Sequence, residues 1–262
     1  MIKGPISYAH AIDGDKTYCF FGDHHERNTK CEGKNFTKYV DDLMKEEEVH
    51  FFTEAIFLAN PTPEQYKQLI AYEEFNAENN ASNSPFFQMV PWFWQRKQEN
   101  PNYFHPLDIR RDTPYYRGFL SSFETYLDES PDLDKLFEFY MDKNDNFENE
   151  IHIKTCIQQV RQTSYRSKKI DSYIEDQWIE MKEYYDNVFA IYVPFCALIM
   201  DTYALHKMFQ PEYKHVVCYV GHSHWSRYKR FLDYIKLDVK TELEPSGCLE
   251  ILEIQRGKKL KF

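Results

Sequence analysis

The most constraining feature of the sequence is residues 214–235, where an apolar run, a glycine, two histidines and a helical pattern follow one another. The run His215–Val220 is rich in β-branched residues, which favours a buried strand. Gly221 ends that run, and His222 and His224 follow at once. Large side chains then recur at steps of three and four, which is the spacing of one helix face. These side chains are Trp225, Tyr228, Leu232 and Ile235.

The beginning of the chain repeats this arrangement. Thr17–Phe21 is predicted to be a short strand, and Gly22 and the histidines His24 and His25 follow it. After a polar loop, a second helical face is indicated by Phe36, Tyr39, Val40, Leu43 and Met44. Ligands in α/β proteins bind at the C-terminal edge of the sheet, so we predict that both turns contribute to one site there.

A third strand candidate carries a carboxylate in an apolar setting. Val49–Leu58 is strongly apolar but contains Glu54. A buried carboxylate is costly unless it is paired or coordinated, and pairing with a nearby arginine is one open reading. Histidine and carboxylate groups bind zinc and related ions, and they also act as general acids and bases near neutral pH. The predicted metal ligands are His24, His25, Glu54, His222 and His224.

Two further groups could complete such a site. Asp108 with Arg110 and Arg111 could orient the central glutamate or clamp an anionic group, and these arginines could equally be ordinary salt-bridge partners. The aromatic cluster that contains Trp92 and Trp94 is better explained by core or lid packing, but it could instead line a substrate pocket. The predicted substrate-binding residues are therefore Arg111, Trp92 and Trp94.

The segments Gly22-Asp23-His24-His25 and Gly221-His222-Ser223-His224 both read G-x-x-H, and Glu54 follows the first of them. In this pattern the chain resembles the superfamily of the erythromycin esterases, the ChaN haem-binding proteins and the TIKI/TraB-type metalloproteases. The resemblance extends over most of the chain and implies an α/β fold in which His25, Glu54 and His224 are the functional positions. Since activities in that superfamily range from hydrolysis to haem binding, the resemblance does not fix the reaction.

With this resemblance, we predict a hydrolase that activates water to cleave an ester or peptide bond in a small molecule or peptide. His25, Glu54 and His224 would either hold a divalent metal, zinc or manganese, or activate water directly. Asp108 and Arg110 resemble an acidic–arginine element of some members. They would position the substrate or stabilise developing negative charge.

Two other classes of protein compete with this prediction. The G-H-x-H pattern of residues 221–224 also resembles the motif that closes calcineurin-like metallophosphoesterases. Gly22-Asp23 could serve as the G-D element of that family, but no D-x-H strand precedes it and no G-N-H-[DE] element follows it. The second class is a non-catalytic protein that keeps the fold and binds a ligand or serves as a structural or interaction component.

Composition restricts the partners and the compartment. The formal charge of −10 argues against a nucleic-acid backbone as the main partner. None of the six cysteines forms a C-x-x-C pair, which favours free thiols in the cytoplasm. The N-terminus has no apolar secretion segment. The longest apolar run, Val188–Met200, is short for a bilayer span and contains Pro194, so no membrane contact is predicted.

The predicted architecture is a single α/β domain over residues 1–262. It has a mainly parallel central sheet flanked by helices and a large helical insertion at about 113–209. Met1–Asp15 is expected to be an irregular lead-in. Leu237–Leu243 and Leu249–Gln255 are expected to form a closing pair of strands.

Overall fold

A computed structural model of the chain describes residues 2–3, 5–24, 34–46, 48–58, 61–79, 85–110, 117–129, 132–144, 153–185, 187–243 and 248–249. The strands are β1 (Ile2–Lys3), β2 (Ser7–Asp13), β3 (Lys16–Asp23), β4 (Lys34–Asn35), β5 (Val49–Ile56), β6 (Phe104–Asp108), β7 (His215–Gly221), β8 (Lys240–Leu243) and β9 (Cys248–Leu249). The helices are α1 (Phe36–Glu46), α2 (Pro63–Asn79), α3 (Pro85–Glu99), α4 (Arg117–Glu129), α5 (Leu133–Asn144), α6 (Ile153–Thr163), α7 (Ser167–Tyr184), α8 (Val188–Met208) and α9 (His222–Tyr234).

The central sheet is mixed, so the prediction of a mainly parallel sheet is only partly correct. Its six described strands lie in the order β6-β5-β7-β3-β2-β8. The four strands from β6 to β3 are parallel, whereas β2 is antiparallel to both β3 and β8. The small second sheet has the order β4-β1-β9. The α/β class itself is confirmed.

The antiparallel edge comes from a hairpin that the sequence reading missed. Residues 1–15 were expected to be irregular, but β2 pairs with β3 along its whole length. Gly14 and Asp15 connect the two strands, and Gly14 has φ of 65°, a conformation that glycine adopts without steric cost. Of the expected closing pair of strands, β8 lies within the first segment and pairs with β2, whereas residues 250–255 of the second segment lie outside the described residues.

Helices cover both faces of the central sheet. Side chains of successive strand residues point to opposite faces, so the same strands contribute to a core on each face. Phe20, Phe52 and Cys218 pack into a large core with residues of α4 to α9. Phe21 and Phe51 instead pack into a second core with residues of α1, α2 and α3. The predicted helical region between β6 and β7 contains the helices α4 to α8.

Helix α8 lies in the large core, as its uniformly apolar sequence predicts. It continues to Met208 with Pro194 inside it, so it is longer than the apolar run that the sequence suggested. By length and composition α8 could cross a membrane, and no other helix in the described part of the chain could. Within the fold, 72% of its most apolar window is buried, as also occurs in core helices of soluble proteins.

Candidate active site at the sheet edge

The candidate site lies where the parallel strands of the central sheet end. The register pairs Asp23 at the end of β3 with Gly221 at the end of β7. On the other side of β7, the side chain of Glu54 on β5 reaches the same strand end and accepts a hydrogen bond from the Gly221 N–H. An open cleft of about 240 Å³ lies there, lined by Asp23, His24, Glu54, Gly221, His222, Ser223 and His224.

Glu54 is held by three groups from two parts of the chain. Its Oε2 accepts the N–H of Gly221 at 3.0 Å, and its Oε1 accepts from Nη2 of Arg110 at 3.2 Å. The same Oε1 lies 3.4 Å from Nε2 of His224. Burial alone would raise the pKa of Glu54, but His224, Arg110 and the Gly221 amide outweigh it and lower the pKa to about 2. Glu54 is therefore ionised at neutral pH.

Asp108 fixes Arg110 in place. Nε and Nη2 of Arg110 donate to the two oxygens of Asp108 at 2.8 and 2.9 Å, and the Arg110 backbone N–H donates to Oδ1 at 3.0 Å. Burial acts to lower the pKa of Arg110, but Asp108 and Glu54 raise it above its ordinary value. The predicted link between Glu54 and the acid–arginine pair is therefore present in the structure.

His224 lies between two carboxylates. Its Nδ1 is 2.6 Å from Oδ1 of Asp201, and so short an approach to a carboxylate requires a proton between the two atoms. Burial acts to lower the pKa of His224, but Asp201 and Glu54 outweigh it and raise the pKa to about 9. At neutral pH the ring is an imidazolium. Nη2 of Arg227 also lies 3.2 Å from Nδ1, but it finds no acceptor there because Nδ1 donates to Asp201.

Asp201 has a second cationic partner in Arg227, whose Nε donates to Oδ2. Burial acts to raise the pKa of Asp201, but Arg227 and His224 lower it below its ordinary value. Negative and positive groups thus alternate through the site. In order, they are Asp108, Arg110, Glu54, His224, Asp201 and Arg227.

His222 is placed by contacts that differ from those of His224. Its Nδ1 is 3.1 Å from Oγ of Ser7, and its ring stacks on Trp225 with the ring centroids 5.0 Å apart. The ring of His24 lies 4.6 Å from that of His222, centroid to centroid. Burial and then His24 lower the pKa of His222, so its ring is neutral at pH 7. Two histidines of one cleft are therefore pushed to opposite charge states.

Gly22 makes room for this arrangement. A Cβ atom at this position would clash with Oγ of Ser7 and would lie 2.8 Å from Cβ of Trp225. Because real Cβ atoms do not make such contacts, only glycine lets β2 and α9 pack this closely against β3. Steric exclusion therefore explains why a glycine begins the first of the two G-x-x-H segments.

Several predicted site residues are not placed at the cleft. His25 and Arg111 lie outside the described residues. Trp94 is 1% exposed, and it packs in the core formed with α1, α2 and α3. Trp92 contacts that core edge-on through the ring of Phe51. Neither tryptophan is among the described residues that line the cleft, so both positions fit the core-packing reading.

The described residues do not fit a divalent metal. Among them, no group of three or more His, Cys, Asp or Glu side chains is arranged to hold a metal ion. Oε1 of Glu54 and Nε2 of His224 do approach each other, but Arg110 already occupies the same carboxylate oxygen. A metal ligand must also be a neutral imidazole, so binding at His224 would require loss of the proton that Asp201 and Glu54 stabilise.

Asp201, Arg227 and Ser7 were missing from the predicted set. Asp201 is a carboxylate within a very apolar helix, which is the same indication that identified Glu54. Arg227 follows His224 by three residues, so both lie on one face of α9. Nothing in the sequence pointed to Ser7, because β2 was not recognised as a strand.

No family model matches this sequence, and neither a curated protein nor a solved structure does. The class that the structure defines is an α/β protein with helices on both faces of a mixed sheet and a cleft at one strand edge.

Proposed function

We propose that this protein is a hydrolase that activates water at the sheet edge and cleaves an ester or peptide bond in a small molecule or peptide. The observation that carries the proposal is the approach of Glu54 Oε1 to His224 Nε2, at 3.4 Å beside an open cleft. A carboxylate and a histidine fixed next to each other at such an edge are suited to proton transfer.

The opposed charge states of the two cleft histidines suggest their roles. Groups whose pKa values are pushed apart by their surroundings make a general acid and a general base. His224, with a pKa raised to about 9, carries the proton to be donated. His222, with its pKa lowered, is the neutral base. In the tautomer whose Nδ1–H donates to Oγ of Ser7, Nε2 is unprotonated and can accept a proton. His25, the position that the resemblance assigns, is the alternative base.

In the proposed reaction, Glu54 accepts a hydrogen bond from a water molecule in the cleft. The water oxygen attacks the carbonyl carbon while one water proton passes to Nε2 of His222. The bond to the leaving oxygen or nitrogen then breaks, and the Nε2–H of His224 supplies the proton that this group needs. Transfer of a proton from His222 back to His224 restores the resting state.

Two groups support the negative charge that develops on the carbonyl oxygen. The N-terminus of α9 lines the cleft, and no side chain caps its first turn. Arg110 is not a lining residue, so its guanidinium, which Asp108 holds beside Glu54, acts through its charge without contacting the substrate. Amide groups at a helix N-terminus favour negative charge.

The proposal is tested by hydrolysis of p-nitrophenyl acetate, of longer p-nitrophenyl esters and of short fluorogenic peptides. We expect Glu54→Gln and His224→Asn to lower kcat/KM by at least about 100-fold. His206→Asn, which changes a buried histidine away from the cleft, serves as the matched control. The proposal is wrong if the folded wild-type protein hydrolyses none of these probes, or if Glu54→Gln is as active as wild type.

The metal-dependent form of the proposal is decided by metal analysis of purified wild-type protein and of the His224→Ala variant. Because the described donors do not fit a metal, we expect both proteins to be metal-free and activity to survive dialysis against a chelator. Stoichiometric metal in wild type that is lost in His224→Ala would instead support the metal form.

A structural role is the second candidate, and one observation favours it. The three carboxylates and three cations of the site compensate each other inside the protein. Such a network can serve stability or specificity of the fold instead of chemistry. A wild-type protein that is inactive on every probe, together with Glu54→Gln and His224→Asn variants that do not fold, would support this candidate.

A further inference from the structure

We propose that Asp201, held in turn by Arg227, is a positioning residue of the candidate site that fixes the ring of His224 against Glu54. This inference rests on the proposed function and extends it to two residues that the family resemblance does not assign. Neither residue lines the cleft, so each would act through His224 and not on the substrate.

The location of Asp201 is the first reason. It lies in the middle of the apolar helix α8 and is 0% exposed. Burying a carboxylate there is costly, and a well-packed apolar side chain usually serves stability equally well or better. An aspartate at this point is better explained by its orientation of the His224 ring than by a gain in stability.

The hydrogen-bond geometry is the second reason. Nδ1 of His224 donates to Oδ1 of Asp201 at 2.6 Å, which fixes the rotation of the ring. With Nδ1 committed, Nε2 is the nitrogen that faces Glu54, at 3.4 Å. If the ring lost this anchor, the reacting nitrogen would shift, and a misplacement of about 1 Å can cost about 100-fold in rate.

Arg227 completes the support from the same helix that carries His224. Its Nε donates to Oδ2, so both oxygens of Asp201 are engaged by residues of α9. The backbone carbonyl of Arg227 accepts a hydrogen bond from the hydroxyl of Tyr173 at 2.7 Å. Contacts with α7 and α8 thus hold the turn of α9 that carries Arg227.

Asp201→Asn is the central test, because it keeps the shape of the side chain and removes the charge. The matched control is Asp171→Asn, which changes the aspartate of another histidine–aspartate pair, with His206. With p-nitrophenyl acetate as probe, we expect Asp201→Asn to lower kcat by about 100-fold with KM within about twofold, since orientation is lost and binding is not. The control should stay within about twofold of wild type in both constants.

A second readout is independent of activity. A strongly hydrogen-bonded imidazole N–H gives a proton resonance at low field, beyond the amide region. We expect such a resonance for His224 in wild type and in Asp171→Asn, and its loss in Asp201→Asn. The His224→Asn variant assigns the resonance, and His206→Asn identifies any contribution from the other pair.

If Asp201→Asn fails to fold, Arg227→Lys and Arg227→Met replace it. Lysine keeps the positive charge beside Asp201, so we expect Arg227→Lys to retain more of the wild-type kcat than Arg227→Met does. Equal losses in both variants would contradict a positioning role for Arg227.

The activities of wild type and Asp201→Asn, together with the His224 resonance, test the role of Asp201 separately from the proposed hydrolase activity. If wild type hydrolyses the ester and folded Asp201→Asn has the same kcat, the inference is overturned while the proposed function stands. If wild type hydrolyses no probe, the proposed function fails, and the resonance alone decides whether Asp201 orients His224. Absence of the resonance from wild type would overturn the inference in either case.

Discussion

Two groups of histidine, aspartate and arginine surround helix α8, and they behave in opposite ways. The cleft cluster consists of His224, Asp201 and Arg227, and the helix cluster consists of His206, Asp171 and Arg161. In each cluster one aspartate contacts both the histidine and the arginine. The pKa of His224 is nevertheless raised to about 9, whereas the pKa of His206 is lowered.

The number and the burial of the carboxylates explain the difference. Burial acts to lower the pKa of both histidines. In the cleft cluster it is outweighed because Asp201 is 0% exposed and Glu54 faces the other ring nitrogen. In the helix cluster the side chain of Asp171 is 29% exposed, and Nδ1 of His206 has no hydrogen-bond partner among the described residues. The full burial of Asp201 and the additional carboxylate of Glu54 therefore decide which histidine is charged.

The largest expected difference in stability between the two clusters comes from replacing the arginine of each. Arg227→Met leaves the fully buried Asp201 with His224 as its only strong partner, so we expect a loss of about 3–5 kcal/mol in the free energy of unfolding. Arg161→Met should cost less than about 1 kcal/mol, because that ion pair is partly exposed. Urea unfolding followed by circular dichroism measures both. Equal losses would show that the two clusters do not differ in burial as described.

The pH dependence of stability should have opposite signs in the two clusters. The pKa of His224 rises on folding from 6.5 to about 9, which corresponds to about 3 kcal/mol. That contribution is fully present below pH 6.5 and is lost as the pH rises through 9. The pKa of His206 is lowered on folding, so its contribution is present above 6.5 and is lost as the pH falls. The free energy of unfolding, compared between wild type and the His224→Asn and His206→Asn variants across pH, measures both contributions.

Gly22→Ala should disturb the cleft cluster alone. The added methyl group clashes with Ser7 and Trp225 and displaces α9, so we expect a loss of about 1–3 kcal/mol and a lower pKa for His224. Gly14→Ala is the control. It strains a turn with φ of 65° but meets no atom within 4 Å, so His224 should keep its pKa. An unchanged pKa of His224 in Gly22→Ala would show that α9 is not held as closely as the structure indicates.

The smallest expected effect is that of Ser7→Ala. It removes one hydrogen bond to His222, and we expect a loss of about 1 kcal/mol in stability. Neither cluster contacts this hydroxyl directly, so the pKa values of His206 and His224 should both remain unchanged. A shift in either pKa would mean that Ser7 supports other residues of the site besides His222.

Local patterns in the sequence were sufficient to predict the edge that carries the site. Strand runs ending in glycine, with histidines after them, placed Gly22 and Gly221 at neighbouring strand ends, where the register pairs residues 23 and 221. The isolated carboxylate of Glu54 in an apolar strand indicated a partner, and the structure provides Arg110 and His224. These features are local, so they can be recognised without knowing which distant segments contact each other.

The parts that were missed depend on contacts between distant segments. The pairing of β2 with β3 is the exception, because it is local and Asp13-Gly14 is a turn signal from which the hairpin could have been predicted. The contact between Ser7 and His222 joins residues 215 positions apart. Trp92 and Trp94 have the same sequence context whether they line a pocket or a core, and only the packing of α3 places them in the core.

An NMR titration of the imidazole resonances of His224 and His206 tests the central claim most directly, because it measures both histidines in one folded protein. If Asp201 and Glu54 hold His224 as described, it titrates near pH 9 while His206 titrates below 6.5. A pKa for His224 at or below 6.5 would contradict this account, since neither Asp201 nor Glu54 could then face its ring.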